Sequence, residues 1–303
     1  MLATWLVELY LSRCNELEDI AASESVSHDV ENLRTELTLV EEEMRHFLET
    51  YKADLDPRTV YELIQSHGRT DIYLHFATVI GDLERVAEHW ILEEEWIKAI
   101  DVLNRQSNLE LYYRFAPVLM RQAPRETVES WLRQSALDPL RLVPALLRTQ
   151  ALSPATPRDP LQPNHAIRYL NHVVFTQGNT SPTIHNLLIT LHVSCSPSTG
   201  GDDEGPLLRF LSTAPVDPIT GKPYYDLDYA LRLCIQAGRT RSCVLIYSKM
   251  GLWENSVDLA LEKGDLELAK TNADMPEDDQ QLRKKLWLKI AKYVVQDKKD
   301  IKR

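Results

Sequence analysis

The run from Tyr229 to Val295 limits this fold most, because its apolar residues recur every three to four positions in stretches broken by minimal turns. Leu282, Leu286, Ile290, Tyr293 and Val294 lie along one helical stripe, with Arg283, Lys284, Lys289 and Lys292 away from it. Upstream, Val257, Ala260 and Leu261 end at Gly264, a residue suited to the left-handed turn after a helix, and Asp265 can cap the next helix at once. A Gly-Asp junction thus stops one helix and starts another without a loop. Pro276, Glu277 and Asp278 are expected to open the last helix, with proline near its first position and acids at its positive end. Four or five short amphipathic helices in series are predicted, a hairpin array suited to binding proteins.

A single compact core stops growing at roughly 250 to 300 residues, so a chain of 303 points to a repeat array or to two domains. Hydrophobic residues at 44% and charged residues at 26% are ordinary for a folded soluble chain, and ten glycines with few alternating segments argue against an all-β fold. A net charge of −11 disfavours nucleic acid or an anionic membrane as primary partner, since both need clustered Lys and Arg. Cys14, Cys195, Cys234 and Cys243 form no C-x-x-C pair and read as reduced, packed thiols. The N-terminal MLATWLVELYLSRC is short, lacks a basic start and is interrupted by Glu8, so a buried helix is expected rather than a signal peptide or membrane span.

From Asp29 to Tyr51, the positions Val30, Leu33, Leu37, Val40, Met44, Phe47 and Tyr51 form a heptad seam. An intermolecular coiled coil and packing on the chain's own helices are both open, and the short length favours the second. Asp56-Pro57 reads as a cap and first turn, while Gly68, Gly81 and Trp96 mark further turns. Trp96, Ala99, Ile100, Asp101 and Val102 are echoed at one constant offset by Trp253, Ser256, Val257, Asp258 and Leu259; GDLE occurs at Gly81 to Glu84 and again at Gly264 to Glu267. Such echoes are expected of helical hairpins, none of which can bury its apolar face alone. Pro117, Pro124, Pro139 and Pro144 punctuate the middle, with Pro124 and Asp138-Pro139 placed as helix starts and Leu140, Val143, Leu146 and Leu147 as an apolar stripe. Residues 153–163 and 194–205 read as flexible insertions; between them, His165 to Phe175 and Thr183 to Val193 read as paired helices, although LLITLHV could pass for a strand. Ser181-Pro182, within the sequon Asn179-Thr180-Ser181, reads as a helix start.

No G-x-S-x-G, P-loop, G-x-G-x-x-G or H-E-x-x-H motif occurs. His165 with His172, and His185 with His192, stand seven apart and could share helix faces, but no further ligand stands at matching spacing, which favours surface or hydrogen-bonded core histidines. Glu93, Glu94 and Glu95 read as a solvated helix cap, and Asp202, Asp203 and Glu204 as solvated loop. Trp5, Trp90, Trp96, Trp131, Trp253 and Trp287 fall in apolar stripes and are expected in the core. The sequence nominates no catalytic, cofactor-binding or metal-binding residue, requires no cofactor and assigns no partner-contact residue.

The segments LDYALRLCIQAG, IYSKMGLWENSVDLAL and DLELAKTNADMPEDDQQLRKKLWLKIAKYVV, together with ATWLVELYLSRCN, HFATVIGDLERVAEHWI, AIRYLNHVV and TIHNLL, carry a resemblance through nearly the whole chain. Leu282 to Lys292, LRKKLWLKIAK, is its most specific part. These segments resemble the clathrin-heavy-chain-type repeat of class C vacuolar protein sorting subunits, within them the deep-orange type of the HOPS and CORVET tethering complexes. The resemblance implies an all-α solenoid of stacked helical hairpins, expected here as one elongated segment over 1–303 with 229–297 its best-defined block. The β-propeller and RING zinc domain of that family have no counterpart in these residues, so ubiquitin-ligase chemistry is not carried over, and KKDIKR reads as the cut end of a longer chain. The implied role is a non-enzymatic scaffold that binds other class C subunits, and Rab GTPases and SNAREs indirectly, on the cytosolic face of late endosomes and the vacuole or lysosome, without nucleic acid or direct membrane insertion. A clathrin-like coat or cargo-adaptor leg, told apart by lattice assembly, and a helical-repeat enzyme regulator, told apart by turnover, are the competing readings.

Overall fold

The structure, a computed structural model, describes residues 2–23, 27–151, 164–195, 204–277 and 279–300. Within them lie seventeen α-helices, and the one extended pairing is an isolated antiparallel bridge between Val216 and Pro223. The chain divides into two compact units, Met1–Tyr112 and Tyr113–Arg303.

The first unit holds α1 (Leu2–Ser23), α2 (Ser27–Thr50), α3 (Pro57–Ser66), α4 (Thr70–Ile80), α5 (Leu83–Leu92) and α6 (Trp96–Asn104); α7 (Leu109–Gln122) begins within it. α1 packs on α2 and α3, α2 also on α4, and α4, α5 and α6 pack in sequence. Val7 and Leu11 of α1 meet Met44 and Leu48 of α2 and Phe76 of α4 in one core, with Phe47 packed against it, so Met44 and Phe47 of the heptad seam pack internally while Tyr51 is exposed. Burial of each such side chain contributes about 1.5–3 kcal/mol. Only one side of α1 is buried, however, and Leu2, Trp5 and Leu9 of the expected buried helix are exposed. Arg69, at the α3–α4 turn, clamps the long helices from below: its guanidinium donates to Glu18 at 2.8 Å, to Glu41 at 3.1 Å and twice to Asn15 at 3.1 Å.

The second unit holds the rest of α7, then α8 (Pro124–Leu132), α9 (Pro139–Ala151), α10 (His165–Asn171), α11 (Pro182–Cys195) and α12 (Gly205–Thr213). α13 (Leu227–Gln236), α14 (Thr240–Lys249), α15 (Trp253–Glu262), α16 (Leu266–Asp274) and α17 (Gln280–Asp300) complete it, each packing on its chain neighbour. LLITLHV is therefore helix, and a π-helical turn, His172–Thr176, continues α10.

Local chemistry explains the junctions. Gly81 and Gly264 end their helices at φ 78° and 75°, where a side chain would be strained, and the following amides, Asp82 N and Asp265 N, donate back to Ala77 O and Ala260 O. Each aspartate then accepts from the amide three residues on, Asp82 from Arg85 at 3.4 Å and Asp265 from Leu268 at 3.1 Å. The two GDLE sites are thus equivalent junctions. Trp96 and Trp253 likewise open α6 and α15, and the echoed Ala99, Ile100, Ser256 and Val257 are all buried.

Three expectations need correction. Pro124 and Pro139 do start helices, but Pro117 and Pro144 lie inside α7 and α9; burial of Phe115, Ala116, Leu119 and Met120 holds α7 through the bond Pro117 cannot make. The buried face of α9 is Leu142, Ala145 and Leu146, turned so that Leu140 and Leu147 are exposed. The last helix starts at Gln280, not Pro276, because Asp279 supplies the cap, accepting from Gln281 N at 3.0 Å and Leu282 N at 2.9 Å. Residues 153–163 and 196–203, which carry most of the two expected insertions, lie outside the described residues, as does Asp278. Ser194 and Cys195 end α11 and Gly205 opens α12.

Candidate interaction sites

The residue types that could do chemistry are spent on packing. Cys14, Cys234 and Cys243 are buried free thiols, and burial pushes the Cys14 thiol up. The hydrogen bond to Cys243, with burial, raises Cys234, while the same hydrogen bond lowers Cys243 against its burial. His165 and His172 are half-buried. His185 and His192 do share the inner face of α11, at 0% and 8% exposure. Yet His185 Nε2 donates to the Asn179 carbonyl at 2.8 Å, and the His192 ring stacks on Phe210 with centroids 5.8 Å apart. Burial lowers both, His192 to about 4, so these are neutral core rings. Among the described residues no three His, Cys, Asp or Glu side chains converge as metal ligands. Glu93, Glu94 and Glu95 are exposed, and Glu95 reaches only Lys98 at 3.5 Å.

Glu204 departs from its expected solvated place. At 7% exposure, its carboxylate accepts from Arg241 N at 3.2 Å, Ser242 N at 2.7 Å and Ser242 Oγ at 2.6 Å, capping α14 from 38 residues upstream. The local N-cap, Arg239, makes no side-chain cap bond, so the free amides and positive end of α14 draw in a remote anion. No local capping signature marks such a pairing in sequence. Glu204→Ala is expected to cost about 2–4 kcal/mol, and Glu204→Gln, which keeps an acceptor, about half of that; urea unfolding of the two variants beside the parent checks it.

The tryptophans also divide. Trp131 is core at 2% exposure and Trp90, Trp96 and Trp253 are half-buried, but Trp5 is 62% and Trp287 39% exposed. Trp287 still anchors α17, because its Nε1 donates to Asp274 at 3.0 Å. Around it, Arg283 pairs with Asp274 at 3.1 Å, Lys285 with Glu254 at 2.6 Å and Lys289 with Asp258 at 2.8 Å, fixing α17 onto α15 and α16. Trp287 and Arg283 keep Asp274, and Lys285 keeps Glu254, below the usual carboxylate range.

Two open clefts lie in the first unit. One, of about 410 Å³, runs beside Gln65, Arg69, Tyr73, Arg85 and His89; the other, of about 600 Å³, beside Asp82, Glu84, Asn104, Arg105 and Asn108. The arginines of the first are already engaged, Arg69 as above and Arg85 with Asp82 at 2.9 Å. What remains open for work is surface, and the exposed apolar residues of α1 and α17 are its least ordinary part. Position on the helical wheel marks them, since Leu288 and Val295 fall off the Leu282, Leu286, Ile290 stripe.

Known proteins resemble this chain in sequence. A family model for the first half of the VPS18 α-solenoid domain matches residues 1–82, and one for the second half matches residues 83–295, the division falling at the start of α5. "Vacuolar protein sorting-associated protein 18 homolog" of Danio rerio is 39% identical over 308 residues, which takes in 100% of this chain and 29% of the relative. "Vacuolar sorting protein 18" of Arabidopsis thaliana is 40% identical with the same coverage, and "Vacuolar membrane protein pep3" of Schizosaccharomyces pombe is 34% identical, covering 100% of this chain and 32% of the relative. The chain therefore spans less than a third of the length of these relatives. With helices throughout the described residues and both solenoid halves matched, the chain belongs to the VPS18 α-solenoid family.

Proposed function

We propose that the chain is a non-catalytic scaffold segment of a HOPS/CORVET-type tethering complex, supporting traffic to, and fusion at, endosomes and the vacuole or lysosome. The observation that carries this reading is the match of the whole chain to proteins named for vacuolar sorting. Its repeats are of the clathrin-heavy-chain type and the subunit of the deep-orange type, as LRKKLWLKIAK suggests. Other class C subunits are its direct partners, and Rab GTPases and SNAREs are reached through them. It acts peripherally, on the cytosolic face of late endosome and vacuolar membranes; no helix among the described residues is long and apolar enough to cross a membrane.

Mechanically, helices of about ten residues span roughly 15 Å, and the Gly-Asp junctions leave little slack between them. Each unit can then hold separate contact surfaces at fixed spacing, so that weak contacts add as linked ones do. The test is a pull-down of this folded chain with the other class C subunits: stoichiometric capture is expected, and no capture of any of them overturns the reading. Assembly into lattices visible by electron microscopy would instead favour a coat.

A further inference from the structure

Two of the buried thiols face each other across one helical hairpin. Cys234 lies in the last turn of α13 and Cys243 in the first turn of α14, and the two helices pack on each other. Arg239, between them, ties their backbones together: its N–H donates to the Cys234 carbonyl at 2.8 Å, and its carbonyl accepts from Cys243 N at 3.0 Å. Both side chains turn into the helix contact, at 0% and 2% exposure, where the Cys234 thiol donates to Cys243 Sγ. Cys14 differs, since the charged groups beside it are Arg69, Glu41 and Glu18 and it lies in the other unit. Apolar packing accounts for a single buried cysteine; it does not call for two sulfurs at one contact.

The geometry suits a bond between them. Cysteines whose Cα atoms stand more than about 7 Å apart cannot be bridged without moving the backbone, whereas these two are joined through the N–H and C=O of one residue and their sulfurs already touch. Side-chain rotation closes the rest. The pair is also polarised: the hydrogen bond from Cys234 stabilises negative charge on Cys243 Sγ, which makes Cys243 the nucleophile and Cys234 the resolving thiol. At rest both are covered, but by a thin layer. Residues 235–238 and Arg241 are exposed, and Gly238 turns the chain between the helices at φ 68°. Fraying of the last turn of α13 therefore admits a molecule the size of water, without unfolding the unit.

We propose that Cys234 and Cys243 are a redox-active pair, which a small peroxide converts into a disulfide that staples α13 to α14. The Cys243 thiolate attacks one peroxide oxygen, the O–O bond breaks, and the hydroxide that leaves takes up the proton Cys243 had released; the sulfur is now a sulfenic acid. Cys234 Sγ then attacks that sulfur, the S–O bond breaks, and the departing hydroxide takes the Cys234 proton as water. Two thiols have lost two electrons and two protons, and one hydrogen peroxide has become two waters. The bond closes a loop of about ten residues and restricts the unfolded chain. It fixes one hairpin of the array until a thiol reductant opens it again. Nothing in this depends on the scaffold reading, since the chemistry is internal to the hairpin.

The test treats the folded full chain with excess hydrogen peroxide, removes it, blocks the remaining thiols with iodoacetamide in urea, and maps tryptic peptides by mass spectrometry. Cleavage at Arg232, Arg239, Arg241 and Lys249 releases peptides 233–239 and 242–249, one cysteine in each. They are expected joined, within one chain, at a mass two hydrogens below their sum, and dithiothreitol should separate them. The urea midpoint of the oxidised chain should stand about 1 M above that of the reduced chain and return on reduction. Cys234→Ser and Cys243→Ser should each form no such link and show no peroxide-induced rise, with circular dichroism melting to check that both fold. The map of the parent stands without either variant. Absence of the 233–239 to 242–249 link overturns the proposal, as does a link that forms only once urea has unfolded the chain. So do links through Cys14 or Cys195 in its place, or a midpoint rise that either serine variant retains.

Discussion

Trp131→Ala is expected to destabilise the Tyr113–Arg303 unit by about 3–5 kcal/mol, the cost of emptying a large aromatic site. The side chain is 2% exposed on α8, whose buried face also holds Thr127, Val128 and Ser130, and its ring meets Tyr169 of α10 edge-on with centroids 5.3 Å apart. Edge-to-face contact adds about 0.5–1.5 kcal/mol beyond area. α8 and α10 pack directly, so the void left by alanine opens between two helices. With a urea slope of about 2 kcal/mol per M, the midpoint should fall by about 1.5–2.5 M. Trp131→Phe keeps a ring for Tyr169 and should lose less than half as much. Trp5→Ala, at a 62% exposed position, should stay within about 0.5 kcal/mol. Similar losses at Trp131 and Trp5 would contradict this ranking.

That contrast shows what kind of information the sequence carries. Helix existence was legible from local rules: Asp56-Pro57, Gly81-Asp82 and Gly264-Asp265 cap and turn where the chemistry says they must, since donor and acceptor lie within a few residues. The Trp96 and Trp253 echo was legible for the same reason, each tryptophan opening its helix. Burial was only half legible. Periodicity found the inner stripe of α17 but could not say that Leu288 faces water, and it put Trp5, Trp287, Leu140 and Leu147 inside. A repeat's apolar face looks alike whether its neighbour is in the chain or elsewhere. Least legible was Glu204, whose amide partners on α14 lie 37 and 38 residues away, so no local pattern could distinguish it from its sequence neighbours Asp202 and Asp203. The outer side of α17 likewise became defined only once Leu286 and Ile290 had chosen the core.

Acid should weaken the second unit well above the carboxylate range, through α11. His192, stacked on Phe210, is held at about 4 by burial, against about 6.5 in an unfolded chain. His185 is also lowered by burial; its Nε2–H is spent on the Asn179 carbonyl and its Nδ1 has no hydrogen-bond partner, so protonation there would bury an unpaired donor. A histidine whose folded pKa is depressed leaves stability untouched above the unfolded value. Below pH 6.5 the unfolded chain takes up a proton that the fold refuses, so stability falls as pH drops through the window from 6.5 to about 4 and then levels off. For His192 alone the loss is about 2 kcal/mol by pH 5 and about 3 kcal/mol at the end of the window. The carboxylates held low, Asp274 and Glu254, act in the same direction but only as pH falls through and below their ordinary range, so a comparison of pH 7.5 with pH 5 isolates the histidines. The urea midpoint of the parent should drop by about 1 M between those two conditions. His192→Leu, which fills a similar volume without a titrating ring, should lose distinctly less over the same interval, whatever its stability at pH 7.5. Equal pH dependence in parent and variant would mean that His192 is protonated inside the fold, and that the core around Phe210 admits water or a counter-charge.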